Sequence, residues 1–163
     1  MESAMNVAKY IVTKCVNDGT PINNTQLQKI LYFVQRRYLR TTGEPLFPEN
    51  FEAWRLGPVI PDVYYAFCGY GVMKINQKYK YREIPACDRS LIDKTVEIYK
   101  VYSIAAIVWF AQNDGGVWRE VYGENGEGLR ATIPMELIHF APDDCGMRPM
   151  KQHGFQYRGM KYE

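Results

Sequence analysis

Phe51-Glu52-Ala53-Trp54-Arg55-Leu56-Gly57-Pro58-Val59-Ile60-Pro61 is the stretch on which the architecture turns. Residues 51–56 are short, partly aromatic and predicted to be extended. The Gly57-Pro58 step favours a turn and excludes helix, because proline disfavours the α region for the residue before it. Pro61 suits the first turn of a helix predicted over residues 62–68, where its missing N–H costs nothing. Gly69 and Gly71 end that helix. Gly57, Pro58 and Pro61 therefore read first as backbone-shaping residues.

Immediately upstream, Asn23 and Gln26 have the spacing of a capping box that opens a helix reaching about Thr41, with Gly43 as its terminator. Leu27, Ile30, Leu31, Val34 and Tyr38 form its apolar stripe. Gln28 and Lys29 lie off that stripe, and Lys29, Arg36 and Arg40 make a separate basic line predicted to be solvated. Before it, residues 3–16 carry Ala4, Ala8, Ile11, Val12 and Cys15 on one helical face, stopped at Asn17-Asp18-Gly19.

Beyond the central stretch, Met73, Ile75, Gln77, Tyr79 and Tyr81 alternate with Lys74, Asn76, Lys78, Lys80 and Arg82. That period of two predicts a half-buried strand with a basic outer face, pairing with the Phe51 region. Asp88 or Ser90 opens a helix to about Tyr102, and Ser103 caps another through Ala111. Trp109, Trp118 and Tyr122 are read as core. Residues 132–140 form a last short helix with Pro134 in its first turn. The sum is a mainly α (α+β) fold, a compact bundle of five to six helices with a small antiparallel β-sheet. Residues 1–141 make one domain, and residues 142–163 a loosely held tail.

Composition narrows the function. With 163 residues and 47% hydrophobic content, a single sizeable core can form. The formal charge of +2 carries no strong nucleic-acid footprint. Glu2 and Asn6 interrupt any apolar leader, no stretch is long enough to span a bilayer, and Cys15, Cys68, Cys87 and Cys145 show no C-x-x-C spacing. A cytoplasmic protein with reduced cysteines is expected. No phosphate-cradling glycine motif occurs, and Gly123-Glu124-Asn125-Gly126-Glu127-Gly128 is acidic. His139, Asp143, Asp144, Cys145 and His153 fit no common zinc spacing. The expectation is a binding protein, with no catalytic residues, no cofactor and no metal.

Two candidate surfaces remain. Trp54 beside Arg55 has the composition of an interface hot spot; the alternative is a core tryptophan and an arginine paired with a helix carboxylate. Lys74, Lys78, Lys80 and Arg82 could meet phosphates; basic residues also protect an edge strand from aggregation.

The motifs Leu27-Gln28-Lys29-Ile30-Leu31-Tyr32-Phe33-Val34-Gln35, Phe51 to Pro61, and Gly116-Val117-Trp118 followed by Tyr122 resemble those of the Panacea domain of SocA-like antitoxins, with Val117 where proline is common. The Ile133-Pro134-x-Glu136-Leu137-Ile138 segment is similar to that family's last helix, and the resemblance covers about residues 6–140. It implies an antitoxin that neutralises a cognate toxin protein by direct contact, and one that also hands the toxin to a protease. The implied contact surface centres on Trp54, Arg55 and Val59. Gln28 and Lys29 would bond to that segment or to the partner. A nucleic-acid-binding regulator of phage or prophage origin, using Lys74, Lys78, Lys80 and Arg82, is the competing expectation.

Overall fold

The structure, a computed structural model, describes residues 1–142. The expected tail and four of the five residues weighed as metal ligands, Asp143, Asp144, Cys145 and His153, lie outside them. Ser3 caps α1 (Ala4–Asn17) by accepting from the Asn6 N–H. The capping box at Asn23 is complete: its side chain accepts from the Gln26 N–H, and the Gln26 side chain accepts from the Asn23 N–H. It opens α2 (Asn24–Thr42), which Gly43 ends in a left-handed conformation at φ 81°.

A hairpin follows. β1 (Phe51–Trp54) and β2 (Gly57–Val59) pair antiparallel, with Trp54 opposite Gly57, so the turn falls on Arg55 and Leu56. The turn is thus two residues earlier than the Gly57-Pro58 step suggests. Pro58 lies on an edge strand, where a missing ladder donor is tolerated. Pro61 opens α3 (Pro61–Phe67), which tightens into a 3₁₀ turn at Cys68–Tyr70. Then come α4 (Ala86–Tyr99), α5 (Ile104–Asn113) capped by Ser103, α6 (Val117–Tyr122), β3 (Thr132–Ile133) and α7 (Met135–Phe140).

Among the described residues there are therefore seven α-helices and one three-stranded sheet, in the order β2-β1-β3. The architecture is mainly α (α+β). The seventh helix is six-residue α6, and two unexpected strands complete the sheet: Gly57–Val59, and Thr132–Ile133, which leaves the expected last helix to pair with β1.

The strand expected over residues 73–82 does not form. β1 is already flanked on both sides, by β2 and β3. The segment hydrogen-bonds instead to α1 and the loop before α2: the Ile75 N–H to the Ile22 carbonyl, the Tyr79 N–H to Thr13 Oγ1, and the Arg82 N–H to Asn6 Oδ1. Ile75 is buried, but Met73 and Tyr81 on the same predicted face are exposed.

α2 is the axis of the molecule. α1, α3, α4, α5, α7 and β2 all pack on it. Leu27, Ile30, Leu31 and Val34 are fully buried, each contributing about 1.5–3 kcal/mol relative to exposure. Phe33 stacks flat on Tyr99 of α4 with ring centroids 4.0 Å apart, and Tyr32 meets Phe51 of β1 edge-on. Trp118 is core as expected; Trp109 is 37% exposed and is not. No helix among the described residues is long and apolar enough to cross a membrane.

Candidate functional site

Because α2 is surrounded from Asn24 to Arg36, most of its polar residues there are interior, while Arg37, Arg40, Thr41 and Thr42 beyond them are exposed, Arg40 as expected. Lys29 and Arg36, expected on a solvated basic line, are both buried, Lys29 to 1% exposure. The physical reason is that each reaches backbone carbonyls of a neighbouring segment. Lys29 Nζ donates to the Pro58 carbonyl of β2 at 2.9 Å. Gln28 Oε1 accepts from the Ile60 N–H at 3.0 Å, and its amide donates to Asn24. Gln35 accepts from the N–H of Leu46 and donates to the carbonyl of Phe47. Arg36 pairs through Nε with Asp114 at 2.5 Å and donates through its Nη atoms to the carbonyls of Ile138 and Pro142. Four side chains of one helix thus clamp the hairpin, the loop before it, the α5–α6 corner and the end of α7. Burial away from any carboxylate partner pushes the Lys29 ammonium down from 10.5 to about 7.

The hairpin tip is built above Lys29. Both carbonyls at the turn are held from below: Trp118 Nε1 donates to the Trp54 carbonyl at 2.8 Å, and Gln112 Nε2 to the Arg55 carbonyl at 3.0 Å. Arg55 is exposed, and Trp54 and Leu56 are half-buried. The Trp54 indole N–H donates to Glu52 at 2.7 Å, its ring is flanked by Tyr64 and Tyr65 of α3, and the Arg130 guanidinium lies 4.5 Å above it.

The candidate residues therefore separate by layer. Trp54 and Arg55 are at the surface. Val59, Gln28 and Lys29 are buried beneath them, so their side chains are placed to support the hairpin and do not face solvent. Gly57 has φ 105°, and a Cβ there would sit 3.2 Å from Lys29 Cε. Arg130 had no sequence signal, because its place over Trp54 depends on a loop that returns from far along the chain.

Lys74, Lys78, Lys80 and Arg82 are all exposed, on a segment that is not a strand. Lys74 donates to the Pro21 carbonyl and Arg82 pairs with Glu2. Among the described residues, no group of three or more His, Cys, Asp or Glu side chains is arranged to hold a metal ion.

An all-round clamped central helix that presents an aromatic hairpin is the arrangement in which the Panacea-type motifs of this chain are used. The chain belongs to the family described as antitoxin SocA-like, Panacea domain, whose model matches residues 27–119. That match runs from the first core leucine of α2 through Trp118 and its neighbour. The chain is similar to antitoxin SocA of Caulobacter vibrioides (strain NA1000 / CB15N), with 31% identity over 143 residues, covering 80% of this chain and 75% of that protein. No solved structure matches. Family membership gives an antitoxin-type protein, with a toxin as its class of partner.

Proposed function

We propose that this protein neutralises a cognate toxin by direct contact in the cytoplasm, through the surface around Trp54 and Arg55, and acts by binding and not by catalysis. The observation that carries this reading is the split at the hairpin tip. Its backbone carbonyls are bonded inward by Trp118 and Gln112, while an arginine and a half-exposed tryptophan face outward. A rigid turn that shows Trp and Arg loses little conformational freedom on binding, and those two residue types dominate interface energetics. Val59, Gln28 and Lys29 contribute by holding β2 in place. Delivery of the bound toxin to a protease is a further step of the same reading, since an adaptor must first hold its cargo.

The test is co-expression of the tagged protein with the product of its genomic neighbour, comparing wild type with Trp54→Ala and Arg55→Glu. A stoichiometric complex weakened at least tenfold in both variants is expected, with Lys78→Glu/Lys80→Glu binding as wild type does. A complex indifferent to Trp54 and Arg55 would move the interface elsewhere. No complex, with a neighbour harmless when expressed alone, would remove the antitoxin reading. Steeply salt-dependent binding to duplex DNA, lost in the double lysine variant, would put the regulator in its place. Toxin lifetime in cells with and without the antitoxin then reads the adaptor step.

A further inference from the structure

Arg130 is the one non-glycine residue with a positive φ, 65°, among the described residues. A left-handed arginine is strained, and such strain persists only where the surroundings impose it. Here they do. The Arg130 N–H donates to the Ala53 carbonyl at 2.7 Å, the Ala53 N–H donates to the Ala131 carbonyl at 2.8 Å, and the Ala131 N–H closes onto the Gly128 carbonyl at 2.9 Å. The loop before it is equally fixed: a Cβ on Gly128 would lie 1.7 Å from the Val121 carbonyl oxygen. So β1 receives, on its β3 side, a preset loop that places Arg130 over the Trp54 ring and Leu129 in solvent. Leu129 is 55% exposed and Tyr65, whose hydroxyl lies 3.5 Å from Arg130 Nη1, is 53% exposed.

We propose that Leu129 and Arg130 are the second half of the toxin-docking surface, and that this surface takes a partner carboxylate set beside an apolar side chain. The inference rests on the antitoxin reading above and deepens it. A guanidinium set over an indole still has in-plane N–H groups for a carboxylate, which it grips in bidentate fashion; here Nη1 also reaches the Tyr65 hydroxyl, leaving Nη2 and Nε. The nearby carboxylate, Glu52, is engaged through one oxygen by the Trp54 indole N–H. Arg55, exposed one residue beyond Trp54, adds a second cation on the same tip. Leu129 and Tyr65 supply the apolar contact that excludes water from the ion pair. Trp54, Tyr65 and Arg130, which meet here, come from three separate segments of the chain, with Arg55 and Leu129 exposed beside two of them.

The experiment measures affinity of the purified full chain for its co-expressed toxin, with thermal melting of each variant alongside. Leu129→Asp and Arg130→Glu are each expected to weaken the complex at least tenfold with melting unchanged. Arg130→Gly, which removes the guanidinium and relieves the backbone, is expected to lose binding without a lower melting temperature. An Asp or Glu of the toxin whose change to Arg restores binding to Arg130→Glu identifies the carboxylate. Wild-type affinity in both Leu129→Asp and Arg130→Glu overturns the inference while the antitoxin reading stands. Loss in Leu129→Asp with Arg130→Glu unaffected overturns the carboxylate. If wild type itself forms no complex, both readings fall together.

Discussion

Lys29 Nζ lies 2.9 Å from the carbonyl oxygen of Pro58, sealed from solvent beneath the hairpin that carries Trp54 and Arg55. The helix at the centre of the molecule and the segment at its surface are joined by this bond and by the neighbouring one from the Ile60 N–H to Gln28. The tip therefore cannot shift without disturbing α2. The exposed tip is thereby tied to the most buried helix of the fold.

The buried ammonium makes stability depend on pH. Its value is about 7 in the folded chain and 10.5 in the unfolded one. Between those values the unfolded chain binds a proton that the folded chain does not. Stability therefore rises with pH across that window, and is at its lowest, and level, below about 7. Lys29→Met keeps the length and removes the titration. Chemical denaturation of both proteins from pH 7 to 9.5 should show the wild type gaining about 1.4 kcal/mol per pH unit over the variant. Parallel curves would mean that Lys29 keeps its charge in the fold, or that water reaches it.

Gly57 faces the same lysine. At φ 105°, an alanine there would be strained, and its Cβ would press on Lys29 Cε at 3.2 Å. Gly57→Ala should cost about 1–3 kcal/mol from the backbone alone. It should also couple to the lysine. In a Lys29→Ala background the contact disappears, so the glycine substitution should cost less there. A double-mutant cycle read by denaturant melts measures that difference, and strict additivity would show that only φ matters at Gly57.

How much of this was legible in sequence depends on whether a local signal existed. Most caps and breakers were readable: Asn23 with Gln26, Gly43, Pro61 and Ser103 do what their residue types and spacing predict, whereas α4 starts at Ala86 with no side-chain cap and not at Asp88 or Ser90. The polar residues of α2 were not. Periodicity sorts a helix into a wet and a dry face, but α2 is enclosed from Asn24 to Arg36, and Gln28, Lys29, Gln35 and Arg36 are interior because each finds a backbone partner on another segment. The alternation in residues 73–82 misled for a related reason. A period of two marks a face but names no partner: both edges of β1, the expected partner, are taken, and the segment bonds to α1 and the loop before α2 instead. The motif residues Trp54 and Arg55 could be singled out in sequence. Arg130, the third partner at the tip, depends on a loop return that no local pattern encodes.

Arg36 and Asp114 form a pair with both side chains buried, joining α2 to the α5–α6 corner, while the same guanidinium holds the carbonyls of Ile138 and Pro142. Removing one member leaves the other charge in the interior, which costs about 3–5 kcal/mol. Arg36→Met should therefore lower stability by that amount and free the end of α7. Amide exchange at Ala141, whose N–H bonds to the Leu137 carbonyl, should accelerate more than exchange in α1. The double variant Arg36→Met/Asp114→Leu should recover part of the loss, since no buried charge remains. A double variant as unstable as the single one would assign the cost to the lost α7 carbonyl bonds instead.

Trp118 tests whether rigidity at the tip matters for binding. Its indole N–H holds the Trp54 carbonyl at 2.8 Å, and its ring stacks on Tyr122 with centroids 4.4 Å apart. Phenylalanine at this position keeps an aromatic ring for the stack and most of the buried area, but has no donor. The Trp54 carbonyl would then lose its indole partner, at a cost of about 1–3 kcal/mol in stability. The turn would keep only the Gln112 bond to the Arg55 carbonyl. If the fixed tip is what the toxin meets, Trp118→Phe should slow association and weaken the complex several-fold although Trp118, being buried, touches no partner. Surface kinetics against the co-expressed toxin checks this, with Leu31→Val as a control that destabilises the core by a similar or smaller amount, about 0.5–1.5 kcal/mol for a deleted methylene, without touching the hairpin. Equal binding by both variants would show that the tip needs no bracing from Trp118. Weak binding by Trp118→Phe alone would tie the late Gly-x-Trp motif to the surface it supports.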